Sequence, residues 1–274
     1  IMGLTFQETI PTPNSRYLKL FRYEEGVVLA EIDLIRDTVL DTDEAKAALQ
    51  EEDKNQTAPQ VSPEEADDAQ ITSDYTAALY REDVLKYLLV PQNVELPAGL
   101  EKEYLIVTLP AENIYLMDDA LADGLEQFQA LELVKLLGAQ SSENEYLSKA
   151  LETGDVLYGG DWKEPDYRTL IREKAKLALM SAQVLPLNAD VLAEREEEPN
   201  QEEEALTVEE YRERLTDLTD RFAVLDIPLL MIRSDDEPER KGQAEWLKLY
   251  GVLFGQEETA QKIYDQILEE EDPS

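Results

Sequence analysis

The residues that carry most enzyme chemistry are missing from this chain. It has no cysteine and no histidine. Thiolate nucleophiles, disulfides, histidine general bases and Cys/His zinc sites are therefore excluded. Carboxylates are so abundant that no pair stands out as an acid/base couple. Asp41, Asp43 and Glu52 have the outline of a calcium loop, but Lys46 stands where that loop needs glycine and Ala45 replaces an oxygen ligand. No glycine-rich phosphate loop, dinucleotide fingerprint or nucleophile elbow occurs. Asn55-Gln56-Thr57 fits a glycosylation acceptor only at the level of chance. Catalytic, metal and cofactor assignments are accordingly none.

Binding chemistry is better represented. Ligands of open parallel sheets sit outside the carboxyl ends of the strands. That geometry nominates the segments Asp118-Asp119, Gly159-Gly160-Asp161-Trp162, Ser181-Ala182-Gln183 and Arg233-Ser234-Asp235-Asp236. Gly159 and Gly160 allow close ligand approach or a tight turn. Trp162 can stack on a flat macrocycle or pack on its own domain. Arg233 can clamp a carboxylate or phosphate, and Asp118 can equally cap a helix.

The elements that would position these loops follow from periodicity. Leu18–Tyr23 and Val27–Ile35 read as a β-hairpin about Glu25-Gly26, and further strands are expected at Tyr75–Tyr80 and Lys86–Val90. From Tyr104 on, short strands alternate with helices, as in a parallel-sheet α/β domain. Strands are expected at Ile114–Met117, Val156–Tyr158, Leu177–Met180 and Pro228–Ile232. A helix with a broad apolar face is expected from Leu121 to Leu137, stopped by Gly138. Others are expected near Glu143–Glu152, from Pro165 as first helical residue to Glu173, and near Val208–Phe222. Ala244, Leu247, Tyr250, Leu253, Ala260, Ile263 and Ile267 predict one long C-terminal helix, with Trp246 as a packing anchor at its root. The fold class is thus α/β: a parallel sheet flanked by helices, an N-terminal β-hairpin region and a long final helix.

Charge is strongly skewed: 62 acidic against 25 basic residues, a formal −37. Such a field repels phosphate backbones and argues against nucleic acid or an anionic membrane surface as partner. It serves solubility, or captures a cation. Asp41–Asp74 holds eleven acids and two lysines, with a helix expected at Asp43–Glu52, and Asp190–Glu210 holds ten acids and one arginine. Both read as surface insertions. No apolar run is long enough to span a bilayer. The opening residues are not a signal peptide; in an exported protein the signal and any lipid-bearing cysteine would lie upstream.

Several motifs recur in a familiar order: Leu89-Val90-Pro91, Pro110 to Leu116, Leu137-Gly138, Gly154–Gly160, Pro165–Tyr167, Ile227-Pro228, Arg233-Ser234 and Glu245-Trp246. In that order the chain resembles the first lobe and interlobe helix of ABC-transporter substrate-binding proteins of the metal-chelate family, which capture cobalamin, haem or ferric siderophores. The resemblance implies residues 1–103 packed on the same lobe, a ligand-binding lobe over 104–240 and an interlobe helix over 241–274, with the second lobe absent. It implies capture of a chelate without catalysis; the strand-end geometry gives Asp118, Asp119, Gly159, Gly160, Asp161, Trp162, Ser181, Gln183, Arg233 and Ser234 as the residues expected to face the ligand. It also implies delivery to an ABC permease and an extracytoplasmic location, periplasmic or as a membrane-anchored lipoprotein. The alternative is a non-catalytic interaction or structural module on the same lobe, pairing through its long helix or acidic surface, as a homodimer for example.

Overall fold

The computed structural model describes residues 1–34, 68–182 and 208–271. Strands β1 (Phe6–Ile10), β2 (Leu18–Tyr23), β3 (Val28–Asp33), β4 (Val84–Pro91) and β5 (Leu105–Leu109) form a first sheet in chain order. Its neighbours are antiparallel except β4 and β5, which run parallel. The expected hairpin is present, and its turn places Glu25 and Gly26 at left-handed φ of 59° and 77°. Alternate residues face opposite ways. Ala30, Ile32, Leu85 and Tyr87 enter the main core, whereas Leu29, Leu88 and Val90 enter a smaller cluster on the other face.

After Pro110 the chain builds a second, fully parallel sheet. Its strands are β6 (Ile114–Leu116), β7 (Val134–Leu137), β8 (Leu157–Tyr158), β9 (Leu177–Ser181) and β10 (Leu229–Ile232), ordered β10-β9-β6-β7-β8. The division between the two sheets thus falls after Leu109, since β5 pairs with β4. Strands β9 and β10 are buried throughout, as parallel strands covered on both faces must be. The helices are α1 (Asp68–Leu79), α2 (Ala122–Glu126), α3 (Glu145–Thr153), α4 (Tyr167–Arg172), α5 (Val208–Val224), α6 (Arg240–Phe254) and α7 (Glu257–Glu271). The expected α/β class therefore holds.

Four local expectations need correction. Tyr75–Tyr80 belongs to the end of α1 and the turn after it, not to a strand. Ser73, Ala77 and Tyr80 are its buried positions, a spacing of helical period. The helix expected from Leu121 to Leu137 is broken: Gln129 adopts a left-handed φ of 54°, and Val134–Leu137 is strand β7. A short apolar run does not reveal which of the two structures it takes. Gly138 is consequently no helix stop; a Cβ there would lie 2.2 Å from the Met117 carbonyl oxygen. Pro165 precedes the N-cap of α4, Asp166, rather than opening the helix.

The last correction concerns the final helix, which divides at Gly255 (φ 65°). Helix α7 folds back along α6: Gly251 meets Ala260, Tyr264 bonds Glu245, and Arg240 pairs with Glu270. The partners rise in number as the first residues fall, so the two helices are antiparallel. Every residue of α6 from Ala244 to Phe254 is buried. A helix apolar nearly all round is an internal one.

Candidate functional site

The strand order of the second sheet reverses direction between β6 and β9. In such sheets the loops leaving those two strands diverge to opposite sides and open a crevice at the carboxyl edge. Backbone pairing runs up to the rim of this edge: Met117 N–H bonds Leu179 O at 2.9 Å, Gly138 N–H bonds Leu116 O at 2.7 Å, and Gly159 N–H bonds Leu137 O at 2.8 Å. All the nominated segments begin at this edge, after β6, β8, β9 and β10.

Asp118 and Asp119 leave β6. The Asp118 carboxylate accepts the Ala120 N–H at 3.1 Å, which is the capping role. Burial holds its pKa above the usual aspartate range, and the carboxylates of Asp235 and Asp119 push the same way. The loops after β6 and β10 are therefore electrostatic neighbours. Asp119 accepts the Ser142 hydroxyl at 2.5 Å and the Glu143 N–H at 3.1 Å, which ties the loop after β6 to the loop after β7.

Gly159 and Gly160 are buried and packed from within. Tyr115 donates its hydroxyl to Gly160 O at 2.6 Å, and a Cβ on Gly160 would sit 2.3 Å from Glu164 O. Close approach here is by the protein's own backbone. Asp161 is exposed and accepts the N–H groups of Lys163 and Glu164, each at 2.9 Å. Trp162 is half-buried against the main core and lines a shallow pocket of about 220 Å³ with Tyr167, Asp217 and Leu218 on its far side.

Ser181 is buried at the end of β9, and Gln183 lies outside the described residues. Arg233 is 4 % exposed, and its guanidinium is committed inside the protein. It donates to Asp236 at 2.8 Å and to Asp33 O at 2.7 Å, and it covers the Tyr17 ring at 3.7 Å. A buried guanidinium needs such partners, and these join the two sheets. Ser234 and Asp235 remain at the rim. The structure thus gathers Asp118, Asp119, Ser234 and Asp235, while Arg233 and the two glycines serve the scaffold.

Beside that rim lies a cleft of about 270 Å³, between residues 120–127, the Ser234-Asp235 turn and helix α6. Its floor includes Trp246 and Tyr250. The cleft is not apparent from the motifs, although Glu245-Trp246 is one of them. Two buried glutamates, Glu237 and Glu245, hold the loop before β2 against α6. Glu245 accepts the N–H groups of Asn14 and Ser15 at 2.9 and 2.7 Å and the Tyr264 hydroxyl at 3.1 Å. Glu237 accepts the Ser15 hydroxyl, the Arg16 N–H at 2.9 Å and the Trp246 indole N–H at 3.0 Å. The signal that points to Glu245 is its being the lone acid of α6.

Two solved structures are similar to part of the chain. The siderophore-binding protein BauB, bound to a complex of two acinetobactin molecules and ferric iron, is 16 % identical with a TM-score of 0.37; the match covers 58 % of this chain and 45 % of that one. The petrobactin-binding protein YclQ from Bacillus subtilis is 16 % identical with a TM-score of 0.38, covering 64 % of this chain and 49 % of that one. The match spans about half the length of each of these structures. No protein-family model and no curated protein matches the sequence. Among the described residues, no helix is long and apolar enough to cross a membrane.

Proposed function

We propose that this chain is a substrate-binding lobe that captures a metal chelate, such as a ferric siderophore, haem or cobalamin, for an ABC importer. The observation that supports this most is the reversal of strand order between β6 and β9, beside which the loops carrying Asp118, Ser181 and Ser234 leave the parallel sheet. The motif order that resembles the metal-chelate family runs through the same sheet: Gly154–Gly160 forms β8 and its loop, and Ile227–Ser234 forms β10 and its loop. On this reading the lobe performs no chemistry. The ligand rests on the loop edge, donating hydrogen bonds to the Asp118 and Asp119 carboxylates and bonding the Ser234 hydroxyl, and is handed to a membrane permease outside the cytoplasm.

Isothermal titration of the chain with ferrioxamine, haemin and cyanocobalamin tests the reading. Saturable binding of one of them, weakened by Asp118→Arg in a protein whose circular dichroism is unchanged, supports it. Heat no greater than dilution for all three rejects it.

A further inference from the structure

The cleft beside α6 contains an unsatisfied polar group. Tyr250 is 4 % exposed and lines the cleft, yet its hydroxyl makes no hydrogen bond among the described residues. Among the described residues, four of the other five buried tyrosines use theirs, Tyr23 being the fifth. Tyr87 donates to Leu229 O at 2.8 Å, Tyr115 to Gly160 O at 2.6 Å and Tyr264 to Glu245 at 3.1 Å, while Tyr80 accepts the Leu229 N–H at 2.6 Å. A buried hydroxyl left without any partner costs about 1–3 kcal/mol, so this one is satisfied by whatever fills the cleft, water or a ligand.

Helix α2 packs closely on this ring. Gly124 sits in the middle of α2, where glycine disfavours a helix, and a Cβ there would come within 3.1 Å of the Tyr250 hydroxyl. Burial raises the Tyr250 pKa, and Asp235 adds to the rise, so the phenol stays neutral and can both donate and accept. The rim carries the carboxylates of Asp123 and Asp235, and the one basic lining residue, Arg240, already pairs with Glu270 at 3.3 Å. Apolar walls come from Leu121, Leu247 and Ile267.

We propose that this cleft binds a small organic cation: a protonated amine carried on an apolar or aromatic body. The ammonium lies between the two rim carboxylates and donates a hydrogen bond to the Tyr250 hydroxyl, and the body packs on the walls. The volume, at the low end for ligand pockets, admits a compact amine rather than a macrocycle. This site adjoins the chelate reading's rim at Ser234 and differs from it in using Tyr250 and the side of α6.

Titration of the whole chain with phenethylammonium, phenethyl alcohol and phenylacetate, followed by calorimetry, tests it. The ammonium is expected to bind about tenfold or more tightly than the alcohol or the anion. Tyr250→Phe should weaken it roughly five- to tenfold. Gly124→Ala, whose methyl presses on the Tyr250 ring, should weaken it as well. The proposal is overturned if the wild-type chain does not bind the ammonium, if the alcohol binds equally well, or if both variants bind like wild type. Tyr250→Phe should leave any chelate binding at the crevice intact, so failure of one site is distinguishable from failure of the other.

Discussion

Asp118 shows how one side chain at a sheet edge carries two demands. It caps the turn before α2 through Ala120, and it does so in a partly desolvated place facing Asp235 and Asp119. Its folded pKa is raised, so between the unfolded and folded values the native state binds more protons. The favourable contribution is complete below the unfolded value, near pH 4, and is lost as pH rises through the folded value. Asn caps as well as Asp but does not titrate. Asp118→Asn is therefore expected to match wild type near pH 3 and to unfold at a higher temperature at pH 7. A thermal melt series across that range checks it; a gap that narrows with rising pH would contradict the assignment. Arg233 makes the opposite point: an arginine beside a candidate site is spent on Asp33, Asp236 and Tyr17, where its charge needs compensation.

At the scale of elements, the α6–α7 hairpin depends on a buried acid. Glu245 satisfies two backbone N–H groups of the loop before β2 and the hydroxyl of Tyr264 on α7. It thereby joins three separate parts of the chain. Lys248 adds a bond to Pro11 O at 2.5 Å and lies over the Tyr264 ring. Glu245→Ala leaves these donors buried and unpaired, and is expected to lower unfolding free energy by about 3 kcal/mol or more in urea titration. A loss below about 1 kcal/mol would mean water reaches these groups in the native state. Gly138 is a second test of element packing. Gly138→Ala drives a methyl into the Met117 carbonyl and should destabilise by about 2–4 kcal/mol through strain where β6 meets β7.

Across the whole molecule the two sheets share one hydrophobic core, and tyrosine hydroxyls stitch them together. Strand β10 is an edge of the second sheet, yet Leu229 and Met231 find partners there in Tyr80 and Tyr87 from the first sheet's side. An exposed edge invites pairing with another chain, and this one is closed by side chains. Tyr87→Phe removes a buried donor and acceptor with no change of shape and is expected to cost about 1–3 kcal/mol. Faster hydrogen exchange at Met231 than in wild type, measured by NMR, would locate the loss on β10.

The parallel-sheet class, the hairpin about Gly26, the strands expected at Leu177–Met180 and Pro228–Ile232 and the helix expected near Glu143–Glu152 were legible in the sequence. Each depends on local periodicity or on one turn residue. The candidate rim loops were legible too, because a parallel strand ends where its apolar run ends. Tertiary structure alone decided that Val134–Leu137 pairs in a sheet, that the last helix turns back at Gly255, and that Arg233 faces inward. It alone placed Tyr250 on a cleft opposite Gly124. Those outcomes depend on contacts between residues far apart in the chain, and a linear pattern carries period and propensity but not the partner across the gap.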